Sequence, residues 1–358
     1  MQFALTDEQT LVADTARGVF SDFRPALRET METADGFDRT QWRSAVNEMG
    51  FGSLAVPEDL GGSGLGMVEL ALVMIEMGRT LWPSPFLPSI ATALPLILAA
   101  APETMASNWV EKLASGEAIA TFLHAPVSAL SREGEGWRLR AEGLAPFGHV
   151  ADLVVVIVED RIAVLEPTFA GITVQRKQTM DRTRPLASVT IDALLGASQV
   201  GDVASDAIAQ ALDRARVALA AESLGGADAV LDHTVDYTKQ RHQFGRPIGS
   251  FQALKHRMAD MMIAAEAARS AVYYAAAAAD GQDPTFAEAA AIAHMTAIET
   301  YQANAGHSIQ LHGGIGFTWE HDAHLYFKRA RSASTLLGTT DQSRDRLAGL
   351  VGLSAEAA

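Results

Sequence analysis

The chain has 358 residues, a formal net charge of −15, 48% apolar residues and 20% charged ones. Its length exceeds what one hydrophobic core commonly supports, so two or three domains are expected, and the composition is that of a folded protein rather than a disordered one. The acidic balance weighs against nucleic acid or an anionic membrane as the main partner, and the lack of cysteine excludes disulfides, a thiolate nucleophile and a Cys-ligated metal.

Aromatics are few and alanine is abundant, which favours packed helices. Residues 1–115 read as an all-α region. The first nine residues lack the basic start and apolar run of a signal peptide. Thr6 and Gln9 predict a capping box at the head of an amphipathic helix, a second helix follows Asp38, and a third spans 67–78. The most apolar stretch, 83–101, is interrupted by Pro85, Pro88 and Pro95, so it reads as buried helix with turns rather than a membrane span. No membrane insertion and a cytoplasmic location are the default expectation.

Residues 116–197 change period. Segments 119–123, 137–141, 153–158, 162–165 and 189–191 are short, rich in branched residues and punctuated by Gly and Pro, which predicts a small β domain of about five strands. Residues 198–358 return to helix: 205–240, then 250–281 starting at Ser250 as N-cap, then 285–311 from a capping box of Thr285 and Glu288, then 322–337 stopping at Gly338. Four long helices with short loops read as a bundle. The fold class is α+β: an N-terminal helical domain, a small middle β domain and a C-terminal four-helix bundle.

Some motifs carry less than they promise. Gly61 to Gly66 is glycine-rich, but no strand precedes it and no βαβ unit surrounds it, so it reads as an inter-helix loop rather than a nucleotide fingerprint. His321 and His324, flanked by Glu320 and Asp322, fit a helix start better than a metal site, and no metal is expected. There is no GxSxG elbow for a hydrolase.

Two other segments are richer. Arg241-His242-Gln243-Phe244-Gly245-Arg246-Pro247-Ile248-Gly249-Ser250-Phe251-Gln252 joins two helices and offers a cation, amides, an aromatic ring and a helix N-terminus. That set suits a ligand with a pyrophosphate and flat rings, and equally an ordinary turn. Gln310-Leu311-His312-Gly313-Gly314-Ile315-Gly316-Phe317 places paired glycines at a helix end, where they permit close backbone approach to a ligand or form a plain cap.

Taken together, the two segments resemble the signature of the acyl-CoA dehydrogenases. Val56-Pro57-Glu58 with Gly61-Gly62-Ser63-Gly64, and Asp181-Arg182-Thr183-Arg184, also look like that family, and the order of domains matches over essentially the whole chain. The resemblance implies FAD as cofactor, an acyl-CoA substrate oxidised at Cα–Cβ, a Glu carboxylate as base, and an electron acceptor such as an electron-transfer flavoprotein. It also implies a dimer or tetramer in which each FAD lies between two subunits. Arg241, Gln243, Phe244, Gln252, Gln310, Gly313, Gly314 and Thr339 then fall to cofactor binding, the first three toward the neighbour's FAD, and Arg216 falls near the substrate.

Other positions depart from the family pattern. The base is commonly the Glu just before a Gly-Thr pair, where this chain has Leu337 before Gly338-Thr339; some members carry it before the helical Arg, where this chain has Ala215. The flavin-contacting stretch of the β domain is replaced near His124-Ala125-Pro126, and the Trp that flanks the flavin ring corresponds to Leu144-Ala145-Pro146. What remains is the set that serves a neighbour's FAD. This is similar to the degenerate subunit of heteromeric acyl-CoA dehydrogenases of bacterial steroid side-chain degradation, and it implies a homologous catalytic partner. Two alternatives stand beside it: a self-sufficient homo-oligomer with a relocated base, Glu320 or Asp341, and a non-enzymatic scaffold of the same fold. The small residues Ala220, Gly225 and Gly226 either widen a pocket for a bulky acyl group or let helices pack closely.

Overall fold

The structure, a computed structural model, describes residues 4–123, 127–158, 160–201 and 205–353. It divides into two compact units, one built from Ala26–Gly66 and Pro83–Ala215, the other from Met1–Pro25, Met67–Trp82 and Arg216–Ala358.

The first unit holds the β domain: β1 Ala120–Leu123, β2 Val127–Glu133, β3 Gly136–Pro146, β4 Leu153–Val158, β5 Arg161–Leu165, β6 Ile172–Arg176 and β7 Leu186–Leu195. One sheet has the order β1-β4-β5, with β1 parallel to β4; the other is antiparallel with the order β2-β3-β7-β6. Every residue of β4 is buried, which explains its unbroken apolar run, whereas β7 alternates between buried and more exposed positions as a half-covered strand does. Leu139, Val154, Val156, Val189 and Ile191 share the domain's core. The two strands that the sequence did not announce, β2 and β6, are the edges of the four-stranded sheet. Edge strands keep polar residues that prevent further pairing, so their apolar signal is weak.

The helices of this unit follow local rules. Asp38 caps Arg39–Arg43 by accepting from Thr40 N at 2.7 Å and Gln41 N at 3.0 Å. The proline-rich stretch is helical from Phe86 to Ala100, as Phe86–Pro88, a π turn Ser89–Ala93 and Leu94–Ala100; Pro88 sits at the π junction and Pro95 in the first turn of the last piece. Ser89 Oγ then accepts from Ala120 N at 3.0 Å, joining this helix to β1. In the glycine-rich loop, Gly61 (φ 82°) ends a 3₁₀ turn, and a Cβ on Gly62 would lie 2.0 Å from Val56 O. These glycines serve the loop's own closure.

The second unit is helical. Asp7–Phe23 begins with the reciprocal bonds of Thr6 and Gln9, at 3.2 and 3.1 Å. Met67–Thr80 begins against the carboxylate of Asp280, which accepts from Met67 N at 2.6 Å and Val68 N at 3.0 Å, a cap supplied from over two hundred positions away. Ser205–Gln240 contributes its residues from Arg216 onward, followed by Gln252–Asp280, Phe286–His312, Ala323–Ala333 and Thr340–Leu350. Glu222 and Arg329 are both buried and form an ion pair.

Three expectations need correction here. Ser250 is not an N-cap: it closes a 3₁₀ turn Ile248–Ser250, donates to Pro247 O at 2.7 Å, and the helix starts at Gln252 with no side-chain cap. Thr285 does not form a capping box with Glu288, because its hydroxyl donates to the nearer carboxylate of Asp283 at 2.7 Å. The last predicted helix ends at Ala333, short of Leu337, and a further helix, Thr340–Leu350, follows behind the Thr339–Gln342 capping box.

The small residues of the long helix are also settled. A Cβ on Gly225 would lie 1.8 Å from Ile75 O, and one on Gly226 would lie 2.4 Å from the Tyr301 ring. Gly78 meets Glu222 O at 1.9 Å in the same sense. Ala220 is wholly buried. The glycines close a gap between helices and leave no room for a ligand.

Candidate functional site

The two glycine- and arginine-bearing segments meet at one end of the helical unit. Tyr237, on the last turn of Ser205–Gln240, donates its hydroxyl to His312 O at 3.2 Å and stacks on the His312 ring at 4.3 Å and 27°. Arg241 N donates to Tyr237 O at 2.8 Å, so Arg241 lies one turn beyond the stack, and Gly313 directly follows His312. Neither Tyr237 nor His312 was singled out in the sequence; their places, four before Arg241 and one before Gly313, were the available signal.

The loop after Tyr237 is a two-residue hairpin in which His242 pairs with Pro247 and Gln243 with Arg246. Phe244 sits at its tip with φ 53°, a left-handed conformation uncommon for a bulky residue, and its side chain is 90% exposed. The ring meets Phe251 edge-on at 6.1 Å, just before Gln252 opens the next helix. Arg241, Gln243, Gln252, Gln310, Gly313 and Gly314 are all exposed, and Arg241 makes no ion pair among the described residues.

Gly313 adopts φ 65° and ψ −143°, a combination close to glycine-only. Gly314 has neither a positive φ nor any atom within 4 Å of the Cβ it lacks. Among the described residues no contact requires glycine at Gly314, so its bare backbone is open to an external group. A guanidinium, three amides, an aromatic tip and bare backbone, all facing outward, can receive a ligand with a phosphate and flat rings from outside the chain.

A second group forms around Arg216, well back along the long helix. Arg216 Nε donates to Leu337 O at 3.2 Å, and Leu337 and Ala215 are buried. Thr339 spends its hydroxyl on the Gln342 N–H at 3.2 Å, so it caps Thr340–Leu350 and is not shown beside the Arg241 and Gly313 segments. His294, fully buried, shares a hydrogen bond from Nδ1 with Ser343 Oγ at 2.9 Å, while its Nε2 has no partner among the described residues. Burial, reinforced by the Arg216 charge, lowers the His294 pKa to about 4.

The candidate bases lie elsewhere. Asp341 is 87% exposed on its side chain and pairs with Arg344 at 2.8 Å; Glu320 is exposed in the turn before Ala323–Ala333. Of the flavin-facing replacements, Leu144 is exposed on β3, and the segment 124–126 lies outside the described residues. His321 Nδ1 accepts from Ala323 N at 3.1 Å, Asp322 pairs with Arg24 at 2.6 Å, and His324 packs edge-on to Trp319 at 4.7 Å. Among the described residues no three His, Asp or Glu side chains converge as metal ligands, and no helix is long and apolar enough to cross a membrane.

The neutral histidines give a pH prediction. His294 is held neutral at a pKa of about 4, and burial also lowers His312 and His233. A histidine depressed in the fold leaves the unfolded chain to bind the proton first. Its contribution is therefore complete above the ordinary histidine pKa and is lost as pH falls from there toward the folded value. For His294 alone the loss between about pH 7 and pH 5 is on the order of 2 kcal/mol. Urea unfolding at both values should show it, and His294→Leu combined with Ser343→Ala should flatten the slope by that amount.

A profile of the acyl-CoA dehydrogenase N-terminal domain matches residues 6–117, and one of the acyl-CoA dehydrogenase C-terminal domain matches residues 205–351. Acyl-CoA dehydrogenase IpdE2 of Mycobacterium tuberculosis is 38% identical over 90% of this chain and 90% of its own. Among solved structures, a variant of the Tcur3481-Tcur3483 steroid ACAD is 29% identical with TM-score 0.86, covering 97% of this chain and 98% of its own. The ChsE4-ChsE5 complex from Mycobacterium tuberculosis is 26% identical with TM-score 0.90, covering 99% of this chain and 100% of its own.

Proposed function

The chain belongs to the acyl-CoA dehydrogenase family, and on that premise we propose that it is the base-lacking subunit of a heteromeric, FAD-dependent acyl-CoA dehydrogenase. Its partner is a homologous subunit that carries the catalytic Glu. The segments 1–115, 116–197 and 198–358 are the family's three domains in this reading, and a steroid-derived acyl group is the substrate class, a choice supported by the likeness to a steroid ACAD.

One observation carries the reading. An intact, outward-facing set of donors stands at the C-terminal end of the Ser205–Gln240 helix, and the base position, filled by Leu337 and held to Arg216, lies well back along it. From Arg216 to Gln240 the helix rises roughly 36 Å. A single dinucleotide bound at Arg241 and Gly313 does not reach back to Arg216 of the same chain. The donors therefore suit a cofactor whose reacting end lies on another subunit. FAD, when bound, supplies the hydride acceptor for Cβ. Arg241, Gln243, Gln252 and Gln310 would hold its phosphates and adenosine, and Gly313 and Gly314 would let it approach the backbone. Neither Leu337 nor Ala215 can take a proton, so abstraction at Cα falls to the partner.

The self-sufficient alternative requires Glu320 or Asp341 as base. Asp341 already faces solvent and pairs with Arg344, an environment that offers no enclosure for an acyl chain. The visible spectrum separates the readings. The chain purified alone should be colourless, and it should become yellow when co-expressed with a homologous subunit bearing the Glu. A stoichiometric flavin band in the lone chain overturns the proposal.

A further inference from the structure

The segment Asp181-Arg182-Thr183-Arg184 matches the family pattern without a role, and the loop that carries it lines a cleft of about 430 Å³ in the β-bearing unit. Arg176, Lys177 and Arg182 bring three cations to this cleft, against the single carboxylate of Glu32, in a chain whose net charge is −15. Gln178 and Thr179 add an amide and a hydroxyl, and Met31 and Pro185 form an apolar wall.

The walls are fixed before any ligand arrives. The Asp181 carboxylate accepts from Thr183 N at 3.0 Å and from its hydroxyl at 2.5 Å, Thr179 Oγ1 donates to Asp181 O at 2.9 Å, and Lys177 N donates to Leu186 O at 2.8 Å. On the facing side Arg176 donates to Thr33 O at 3.0 Å and also to Ala34 O. Gly36 has φ 75°, and a Cβ there would lie 2.6 Å from Pro185 Cγ, so this turn is pressed against the wall. Such preorganisation lowers the cost of binding.

Arg182 pairs with Glu32, but the two side chains are half-exposed, at 50% and 53%. An exposed pair of this kind contributes little, and a phosphate, with more charge and a geometry matched to guanidinium, displaces it readily. Inorganic phosphate is too small to use the volume; pockets of this size take small organic ligands. We propose that the cleft binds a nucleotide, with Lys177 and Arg182 on its phosphates and Met31 and Pro185 against its base. The site lies in the β-bearing unit and does not depend on the flavin reading.

Calorimetric titration of the full chain tests this with ADP, adenosine 3′,5′-bisphosphate, coenzyme A, adenosine and inorganic phosphate as probes. Saturable binding of at least one of the phosphorylated nucleotides is expected, with none for adenosine, weakening with added salt and by about tenfold in Arg182→Gln and in Lys177→Gln. Both side chains are exposed, so the variants should melt with the wild type; if one does not, the other carries the test. Coenzyme A binding like the bisphosphate identifies the nucleotide end of a thioester as the source, and its exclusion identifies a free nucleotide. The proposal is overturned if no probe binds at millimolar concentration, if inorganic phosphate binds as well as the nucleotides, or if both variants bind like the wild type.

Discussion

Gly225→Val is expected to be among the most damaging single substitutions in the helical unit, lowering stability by more than about 3 kcal/mol and the melting temperature by roughly 10 °C. The direction is not obvious from helix propensity, since replacing a mid-helix glycine by a residue with a Cβ usually gains up to about 1 kcal/mol. Contact decides it. At Gly225 the new atom falls 1.8 Å from Ile75 O and 3.0 Å from Arg79 N, both backbone atoms of Met67–Thr80 that cannot swing away. The neighbouring Gly78 makes the reciprocal contact with Glu222 O, so the two helices are locked at a distance set by missing side chains. Gly306 is the control. It lies inside Phe286–His312 with no atom within 4 Å of the added Cβ, so Gly306→Ala should raise stability by up to about 1 kcal/mol. Thermal melts of both variants check the pair, and equal losses would show that the close helix contact is not what Gly225 is for.

The same glycines show where sequence reading ends. Periodicity placed the long helix at 205–240, where it is, because thirty-odd residues of consistent pattern leave little choice. It left open whether Ala220, Gly225 and Gly226 make room or remove it, because the answer depends on Ile75 and Tyr301, far away in the chain. Caps divided along the same line. Thr6–Gln9 formed as predicted, while Thr285 was captured by Asp283, two residues off, and Met67–Thr80 is capped by Asp280, which no local pattern connects to it. Strands β4 and β7 were legible from branched residues; β2 and β6 were not, as edges carry little apolar signal. Within the candidate site the glycine and arginine segments could be read one by one. Their meeting through the Tyr237–His312 stack, and the length of helix between Arg241 and Arg216, required the fold.

Arg241→Ala and Gly314→Val, each in the co-expressed complex, should strip flavin from the partner's site while leaving this chain's own fold untouched. Removing a charge-assisted guanidinium–phosphate hydrogen bond costs about 2 kcal/mol, roughly a thirtyfold loss of affinity, enough for FAD to leave during gel filtration. Arg241 is exposed and unpaired among the described residues, so its truncation leaves no buried charge behind. Gly314 is the sharper probe. It has no positive φ and, among the described residues, no neighbour within 4 Å of a new Cβ, so the Cβ of valine is accommodated and the lone subunit should melt close to the wild-type temperature. A structural role would show itself as a shift in that melt; a cofactor role would not. If the glycine exists so that a ligand from outside can lie against the backbone, the branched side chain occupies that ligand's space, and the flavin absorbance per complex falls while the subunit ratio holds. Full flavin occupancy in both variants would leave the outward-facing donors without a cofactor to hold and would return the chain to the scaffold reading.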